Sequence, residues 1–242
     1  LSKPRVCICV PSGITGVESR ACVNAAVSAG ARKVYLIEEP VAAALGAGLD
    51  LSVPRGRFIL DMGGGTTDIA VLSLNGKSIK LAGRKLDEAI VRCVRTDRNV
   101  LIGEKMAERI KIEVGSVFYT EDKEMEAKGR NLHTGLPEKF VIRTSDIYDA
   151  LMEQVMQIVT AVQQILEITP PELSADIWED GLIMTGGGAL LHGLGDLISQ
   201  HAKIKVRLAE HPVECVAIGT ALSFSKLDEL YDGFVTPSTH TH

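Results

Sequence analysis

Residues 58–74, "FILDMGGGTTDIAVLSL", set two apolar runs around Asp61-Met62-Gly63-Gly64-Gly65-Thr66-Thr67-Asp68. Phe58 to Leu60 and Ile69 to Leu74 are short and partly β-branched, so each reads as a buried strand. A tight hairpin needs only about two loop residues; this loop has six to eight. Consecutive glycines tolerate positive φ and leave backbone N–H groups bare. Threonines add hydroxyls, and aspartates add charge for a cation or its waters. Such a loop either cradles the phosphates of a nucleotide with magnesium or is a plain flexible turn, and the rest of the chain decides between them.

The totals narrow the field. With 242 residues the chain can build one large domain or two modest ones, and 45% hydrophobic with 4% aromatic residues means an aliphatic core of the α/β kind. The formal net charge is −5 and no Lys/Arg cluster exceeds a pair, which disfavours direct nucleic-acid binding. No run approaches the ~20 apolar residues of a membrane span, and no signal peptide opens the sequence. Cysteines at 7, 9, 22, 93 and 215 form no CxxC pair. They read as small hydrophobes in a reducing cytoplasm rather than zinc ligands or a disulfide framework. His240 and His242 fall in a tail that is expected to be unstructured.

Along the chain, residues 5 to 10 read as a strand and Thr15/Glu18 as the capping box of a helix stopped near Gly30. Val34 to Ile37 follows as a parallel strand. That first strand wants neighbours on both sides, from later in the chain or from a preceding part. Glu38-Glu39-Pro40 opens a small-residue helix to about Ala47, and 49 to 57 is a linker between lobes. After the hairpin, Asn75-Gly76-Lys77 predicts a tight turn into a third antiparallel strand, Ser78 to Ala82. Helices are predicted over Leu86–Val94 and Glu104–Gly115, and small exposed strands over 123–143. A long helix capped by Ser145 carries Ile147, Leu151, Val155, Ile158, Val162 and Ile165 at helical spacing, and Pro170-Pro171 ends it. Strand Leu182–Met184 runs through Thr185-Gly186-Gly187-Gly188 into a further helix. Strand Ile204–Leu208 and a final helix, Pro212 to Leu230, complete the pattern.

Three further features could serve a ligand, each with a plainer reading. The Gly186–Gly188 turn between strand and helix either presses on a ligand or is a close-packed connection. Glu104, Glu108 and Lys111 at i, i+4 and i+7 either hold a ribose or form a solvated, salt-bridged face. Glu39, at the end of a strand, either orients an attacking water or favours the next helix N-terminus.

Taken together, "PSGITGVESRA", "VYLIEEPVAAALGAGL", "DMGGGTTDIAVLSL", "IGEKMAERIKIEVGS", "GRNLHTGLPEKF", "TPPELSADI", "TGGGALLHGLGDL" and "VECVAIGTAL" resemble the MreB family of actin-like ATPases, in family order from Leu1 to about Leu222. The resemblance implies an α/β, ribonuclease-H-like two-lobe ATPase fold with its first lobe incomplete. Residues 1–50 would belong to the first lobe, 57–88 and 145–212 to the core of the second, and 89–144 to a small outer subdomain. Residues 213–231 would return as a helix to the first lobe, and 232–242 would be a tail. By position, Asp61 would act on the hydration shell of Mg2+, and Gly63, Gly64, Gly65 and Thr66 would wrap the β- and γ-phosphates of ATP or ADP. Glu39 would position the hydrolytic water with Thr66 and Thr67 as helpers. Gly83, Glu108 and Lys111 would contact the nucleotide near its sugar and base, and Gly186, Gly187 and Gly188 would lie under the adenosine.

The implied protein is an ATP-binding, filament-forming cytoskeletal protein that organises cell-wall synthesis. It would work in the cytoplasm at the inner face of the cell membrane, with copies of itself and membrane proteins of cell-wall elongation as partners. Two departures stand out. The family begins roughly a hundred residues earlier, with a first phosphate loop and a hydrophobic N-terminal segment that touches the inner membrane. Where the family has Ala-Gly-Asp, this chain has Ala82-Gly83-Arg84 after a shortened hairpin. The alternatives are an inactive, N-terminally truncated fragment of such a protein, or a sugar-kinase or chaperone-type ATPase on the same fold. A kinase needs a second substrate pocket with its own carboxylate base, and a chaperone needs a peptide-binding domain after the ATPase.

Overall fold

The structure, a computed structural model, describes residues 3–72, 77–79, 82–118, 121–226 and 234–235. β1 (Arg5–Val10) and β2 (Lys33–Glu38) pair in parallel across α1 (Gly16–Ser28). The capping box forms as the spacing predicts: the Thr15 N–H donates to Glu18 Oε2 at 2.9 Å and the Glu18 N–H to Thr15 Oγ1 at 3.3 Å. α2 (Glu39–Gly46) starts where β2 ends, with Pro40 in its first turn, where no N–H is missed.

β3 (Arg57–Met62), β4 (Thr67–Leu72) and β5 (Lys77–Ile79) form the antiparallel meander; Asn75 and Gly76 of the predicted turn lie outside the described residues. Next come α3 (Gly83–Arg98), β6 (Val100–Leu101), α4 (Glu104–Val114), β7 (Glu124–Asn131), β8 (Pro137–Arg143) and α5 (Thr144–Ile168). The chain continues through α6 (Pro171–Asp180), β9 (Leu182–Thr185), a 3-10 turn at Gly187–Leu190, α7 (Leu194–Ala202), β10 (Val206–Leu208) and α8 (Cys215–Leu222). A 3-10 turn, Ser223–Lys226, and β11 (Phe234–Val235) close the described part. Among the described residues the strands make three sheets, ordered β1-β2-β11, β10-β9-β3-β4-β5 and β6-β7-β8. Also among them, no helix is long and apolar enough to cross a membrane.

The central five-stranded sheet has two dressed faces, because side chains alternate along each strand. Phe58, Leu60, Met62, Ile69 and Val71 point into the main core with α3, α4, α5 and α7. Ile59, Ala70 and Ile183 point the other way, into a second cluster with Ala43 and Ala44 of α2 and Cys215 of α8. The predicted stripe of α5 is buried throughout, from Ile147 at 0% to Ile165 at 4% exposed. Each such side chain contributes about 1.5–3 kcal/mol relative to an exposed one.

Some boundaries differ from expectation. Thr144, not Ser145, opens α5: the Arg143 N–H is taken by Asp146 Oδ2 at 2.9 Å, while the Ser145 hydroxyl bonds Asp122. Pro171 both stops one helix and begins α6, whose Asp176, Glu179 and Asp180 hold Arg55 and Arg57 of the segment entering β3. The glycine turn after β9 enters only a 3-10 turn, and α7 begins at Leu194 after Gly193 in the left-handed region. The final helix is shorter than predicted, with 227–230 outside the described residues.

α2 crosses α8 at backbone contact. A Cβ on Gly219 would stand 1.7 Å from the Ala42 carbonyl oxygen, and one on Gly46 would stand 1.8 Å from that of Cys215. Neither partner atom can swing aside, because both belong to helix backbone. Gly219→Ala is therefore expected to lower stability by about 1–3 kcal/mol or more. Gly16→Ala, with nothing within 4 Å of the new methyl, should stay within about 0.5 kcal/mol of neutral. Urea unfolding of both variants checks the pair; equal effects would mean the helices do not meet this closely.

Candidate functional site

A cavity of about 660 Å³ is walled by five chain segments: Asp61, Gly63 and Gly64 of the β3–β4 loop; Gly83, Arg84 and Asp87 at the start of α3; Glu108, Lys111, Ile112 and Gly115 of α4 and its end; Gly186–His192 without Ala189; and Pro212, Val213 and Val216 around the start of α8. Nine residues singled out in the sequence meet there: Asp61, Gly63, Gly64, Gly83, Glu108, Lys111, Gly186, Gly187 and Gly188. Glu39, Gly65, Thr66 and Thr67 do not line it.

The glycine loop is held by α3. The Gly63 carbonyl accepts the Gly83 N–H at 3.1 Å, and the Gly64 carbonyl accepts the Arg84 N–H at 3.0 Å. The loop's carbonyls thereby satisfy amides of the α3 N-terminus that the helix itself leaves without a partner. Across the cavity, two glycines of the second turn are set by packing. A Cβ on Gly186 would lie 2.3 Å from the Met62 carbonyl oxygen, and one on Gly188 would lie 2.4 Å from Met62 Cγ. Only Gly187 looks onto open space. This turn is a close-packed connection and a cavity wall at once.

The β3–β4 register decides which way the carboxylates point. Asp61 pairs with Asp68 and Met62 with Thr67. Asp61 and Asp68 thus share the sheet face of Ile59 and Ala70, towards α2, while Thr67 lies with Met62 on the face of the main core. Thr67 is fully buried on that face, opposite to the one that carries the two aspartates; Thr66 is half-buried. Asp61 is buried and its Oδ1 accepts the Thr185 hydroxyl at 2.8 Å. Burial pushes its carboxyl above the usual range, opposed by that hydrogen bond.

Glu39 stands at the start of α2 against the same sheet face. Burial, then the charges of Asp68 and Asp61 and a hydrogen bond with Asp68, raise its carboxyl to about 7. Glu38 is also raised, by burial and by Asp68. A carboxyl with such a value near neutral pH is suited to take up or release a proton. The sequence flagged Glu39 but not its coupling to Asp68, because 29 residues of chain, from 39 to 68, separate the two.

Lys111 is already engaged. Its Nζ lies 2.8 Å from Asp87 Oδ1 and donates to the Gly83 carbonyl at 3.3 Å, with both charged side chains 13% exposed. Asp87 and Thr185 were not among the sequence candidates. Thr185 adjoins the glycine turn in "MTGGG", a signal that could have marked it, whereas Asp87 has none.

The MreB/Mbl protein family model matches residues 1–232. The chain belongs to the MreB/Mbl family. It is 47% identical to the cell shape-determining protein Mbl of Bacillus subtilis over 234 residues, covering 95% of this chain and 70% of Mbl. It is 48% identical to the cell shape-determining protein MreB of Escherichia coli over 230 residues, covering 93% of this chain and 66% of that protein. Among solved structures, MreB 5 of Spiroplasma citri bound to AMPPNP superposes with a TM-score of 0.87 at 35% identity, over 93% of this chain and 69% of the other. The MamK double helical filament gives 0.77 at 19% identity, with the same shares covered, and speaks for the fold alone. The fold is actin-like, as the resemblance implied.

For this MreB/Mbl family member the carboxylate cluster has a measurable consequence. The Glu39 value moves from 4.5 to about 7 on folding, so the folded state binds more protons between those limits and stability falls as pH rises through them. Asp61 and Glu38, also raised, act with the same sign. Glu39→Gln should flatten this slope, melting above the parent at pH 8 and gaining little at pH 5. Thermal melts at both pH values check it; an unchanged slope would remove Glu39 as a coupled group.

Proposed function

We propose that this chain is the nucleotide-gripping part of an ATP-dependent, filament-forming cell-shape protein. The observation that carries the reading is the single cavity onto which the glycine loop of the β3–β4 hairpin, the glycine turn after β9 and the polar face of α4 all open. Asp61, Gly63 and Gly64 would meet the phosphates, with Gly65 and Thr66 completing the loop beside them. Gly83, Glu108 and Lys111 would meet the sugar and base, and Gly186–Gly188 would lie under the adenosine. Supporting it, MreB 5 of Spiroplasma citri, with a TM-score of 0.87 to this chain, is described bound to AMPPNP and to ADP.

The donor set fits magnesium held through its waters. Asp61 offers a carboxylate at the cavity wall, and among the described residues no group of three or more His, Cys, Asp or Glu is arranged to hold an ion by side chains alone. Magnesium keeps several waters and takes one or two carboxylates in such sites; when bound it supplies charge neutralisation to the phosphates. Glu39, with its carboxyl near neutrality and its hydrogen bond to Asp68, would orient the attacking water and accept its proton. Thr66, at the end of the loop, would assist. Residues 1–50 and the segment from 213 onward, which includes α8, would form the lobe that moves against the rest when ATP becomes ADP. Filament neighbours of the same chain, cell-wall elongation proteins and the inner face of the cell membrane follow as partners and place of action.

A titration of the purified chain with a fluorescent ATP analogue and magnesium tests the reading. Micromolar binding that Asp61→Ala weakens by about tenfold or more is expected, since a charged hydrogen-bonding group at the metal is lost. Binding that survives Asp61→Ala unchanged, or a folded chain that binds nothing, would overturn it.

A further inference from the structure

The cavity's lysine and arginine, Lys111 and Arg84, stand in different electrostatic positions. Lys111 is neutralised by Asp87 at 2.8 Å. Arg84, the second residue of α3, has no carboxylate at ion-pair distance among the described residues and feels Glu88 only as a weaker, more distant charge behind Lys85 and Arg92. The nearby carboxylates have other partners: Glu88 lies 2.8 Å from Lys85, and Asp87 is held by Lys111.

The base of the Arg84 side chain is anchored twice on the loop. Its backbone N–H donates to the Gly64 carbonyl at 3.0 Å and its Nε to the same oxygen at 3.2 Å. The rest of the guanidinium then runs along the loop, with Nη2 only 2.7 Å from where a Cβ on Gly65 would stand. An exposed, pre-oriented fork of N–H donors therefore lies over the glycine loop at the cavity wall. The same wall carries three carboxylates, Asp61, Asp87 and Glu108. An anion entering there needs a cation that is not already spent on a carboxylate, and a guanidinium fits phosphate oxygens two at a time.

We infer that Arg84 binds the phosphate tail of the nucleotide and makes this site prefer a nucleoside di- or triphosphate over the bare nucleoside. The inference rests on the nucleotide reading above and adds a specificity-determining residue to it. Arg84 supplies the loop with a fixed positive charge from within the same chain, on the side where the Gly63 and Gly64 carbonyls hold the start of α3.

The test is calorimetric titration of the full chain and of Arg84→Gln and Arg84→Lys with MgADP and, separately, with adenosine. Arg84→Gln should weaken MgADP about tenfold or more and leave adenosine within about twofold. It should also flatten the salt dependence of MgADP binding, because a charge–phosphate contact is screened. Arg84→Lys, which keeps the charge but loses the Nε bond to Gly64, should fall between. If Arg84 only clamped the loop, both ligands would weaken alike; that result, or unchanged MgADP affinity, overturns the inference. A parent chain that binds MgADP alongside an equally competent Arg84→Gln removes Arg84 alone, whereas a parent that binds neither ligand overturns the nucleotide reading and this inference together. Melting curves of the three proteins establish that each is folded, as the exposure of Arg84 leads one to expect.

Discussion

The α2–α8 crossing is the contact on which the site depends. Gly46 and Gly219 let two helix backbones touch, and this close approach fixes α2 across the second face of the central sheet. α2 brings Glu39 with it, at its N-terminal end, over the strand ends that carry Asp61 and Asp68. α8 meanwhile supplies Val216, and the segment before it Pro212 and Val213, to the cavity wall. One apolar, glycine-mediated contact thus sets the geometry of a charged site. No side-chain hydrogen bond joins the two helices among the described residues, so the strength of the contact comes from dispersion and the burial of small and aliphatic surface, including Leu45 and Val216.

Placing several carboxylates together under a sheet is unfavourable in itself. Each loses hydration and each feels the others, which is why Asp61, Glu38 and Glu39 are all shifted towards their protonated forms. The β3–β4 register holds them there. A slip of one residue would turn Asp61 into the aliphatic core and Met62 out of it, and Met62 is in turn wedged against Gly186 and Gly188. Core packing on one side of the sheet therefore enforces an electrostatically strained arrangement on the other. A bound cation would relieve that strain, which is the usual relation between stored destabilisation and a binding site.

Much of this was legible along the chain. The hairpin, the capping box of α1, the stripe of α5 and the two glycine turns are local patterns, set by neighbours within a few residues, and they appear where the periodicity and turn chemistry put them. The two glycine turns, with Asp61 of β3, Gly83 of α3 and Glu108 and Lys111 of α4, bring nine candidates to one cavity. What was illegible is long-range. Asp87 meets Lys111 only because α3 packs on α4, and Glu39 meets Asp68 only because α2 lies across β4. Thr67 faces the core only through the β3–β4 register, which a run of Thr-Thr does not reveal. Similarly, "TGGGALLHG" has helix-forming residues, yet Gly193 in the left-handed region delays α7 to Leu194.

By itself, then, the sequence determined the α/β class, most elements, the phosphate-loop candidates and the family, because these rest on local backbone preference and residue order. The tertiary structure alone decided which side chains point into the cavity, which cation there is neutralised, and which carboxyl is held near neutral pH. Those properties depend on burial and on distances between segments far apart in the chain. Charge–charge energy and desolvation vary with both, and neither is encoded in the spacing of residues along a strand or helix.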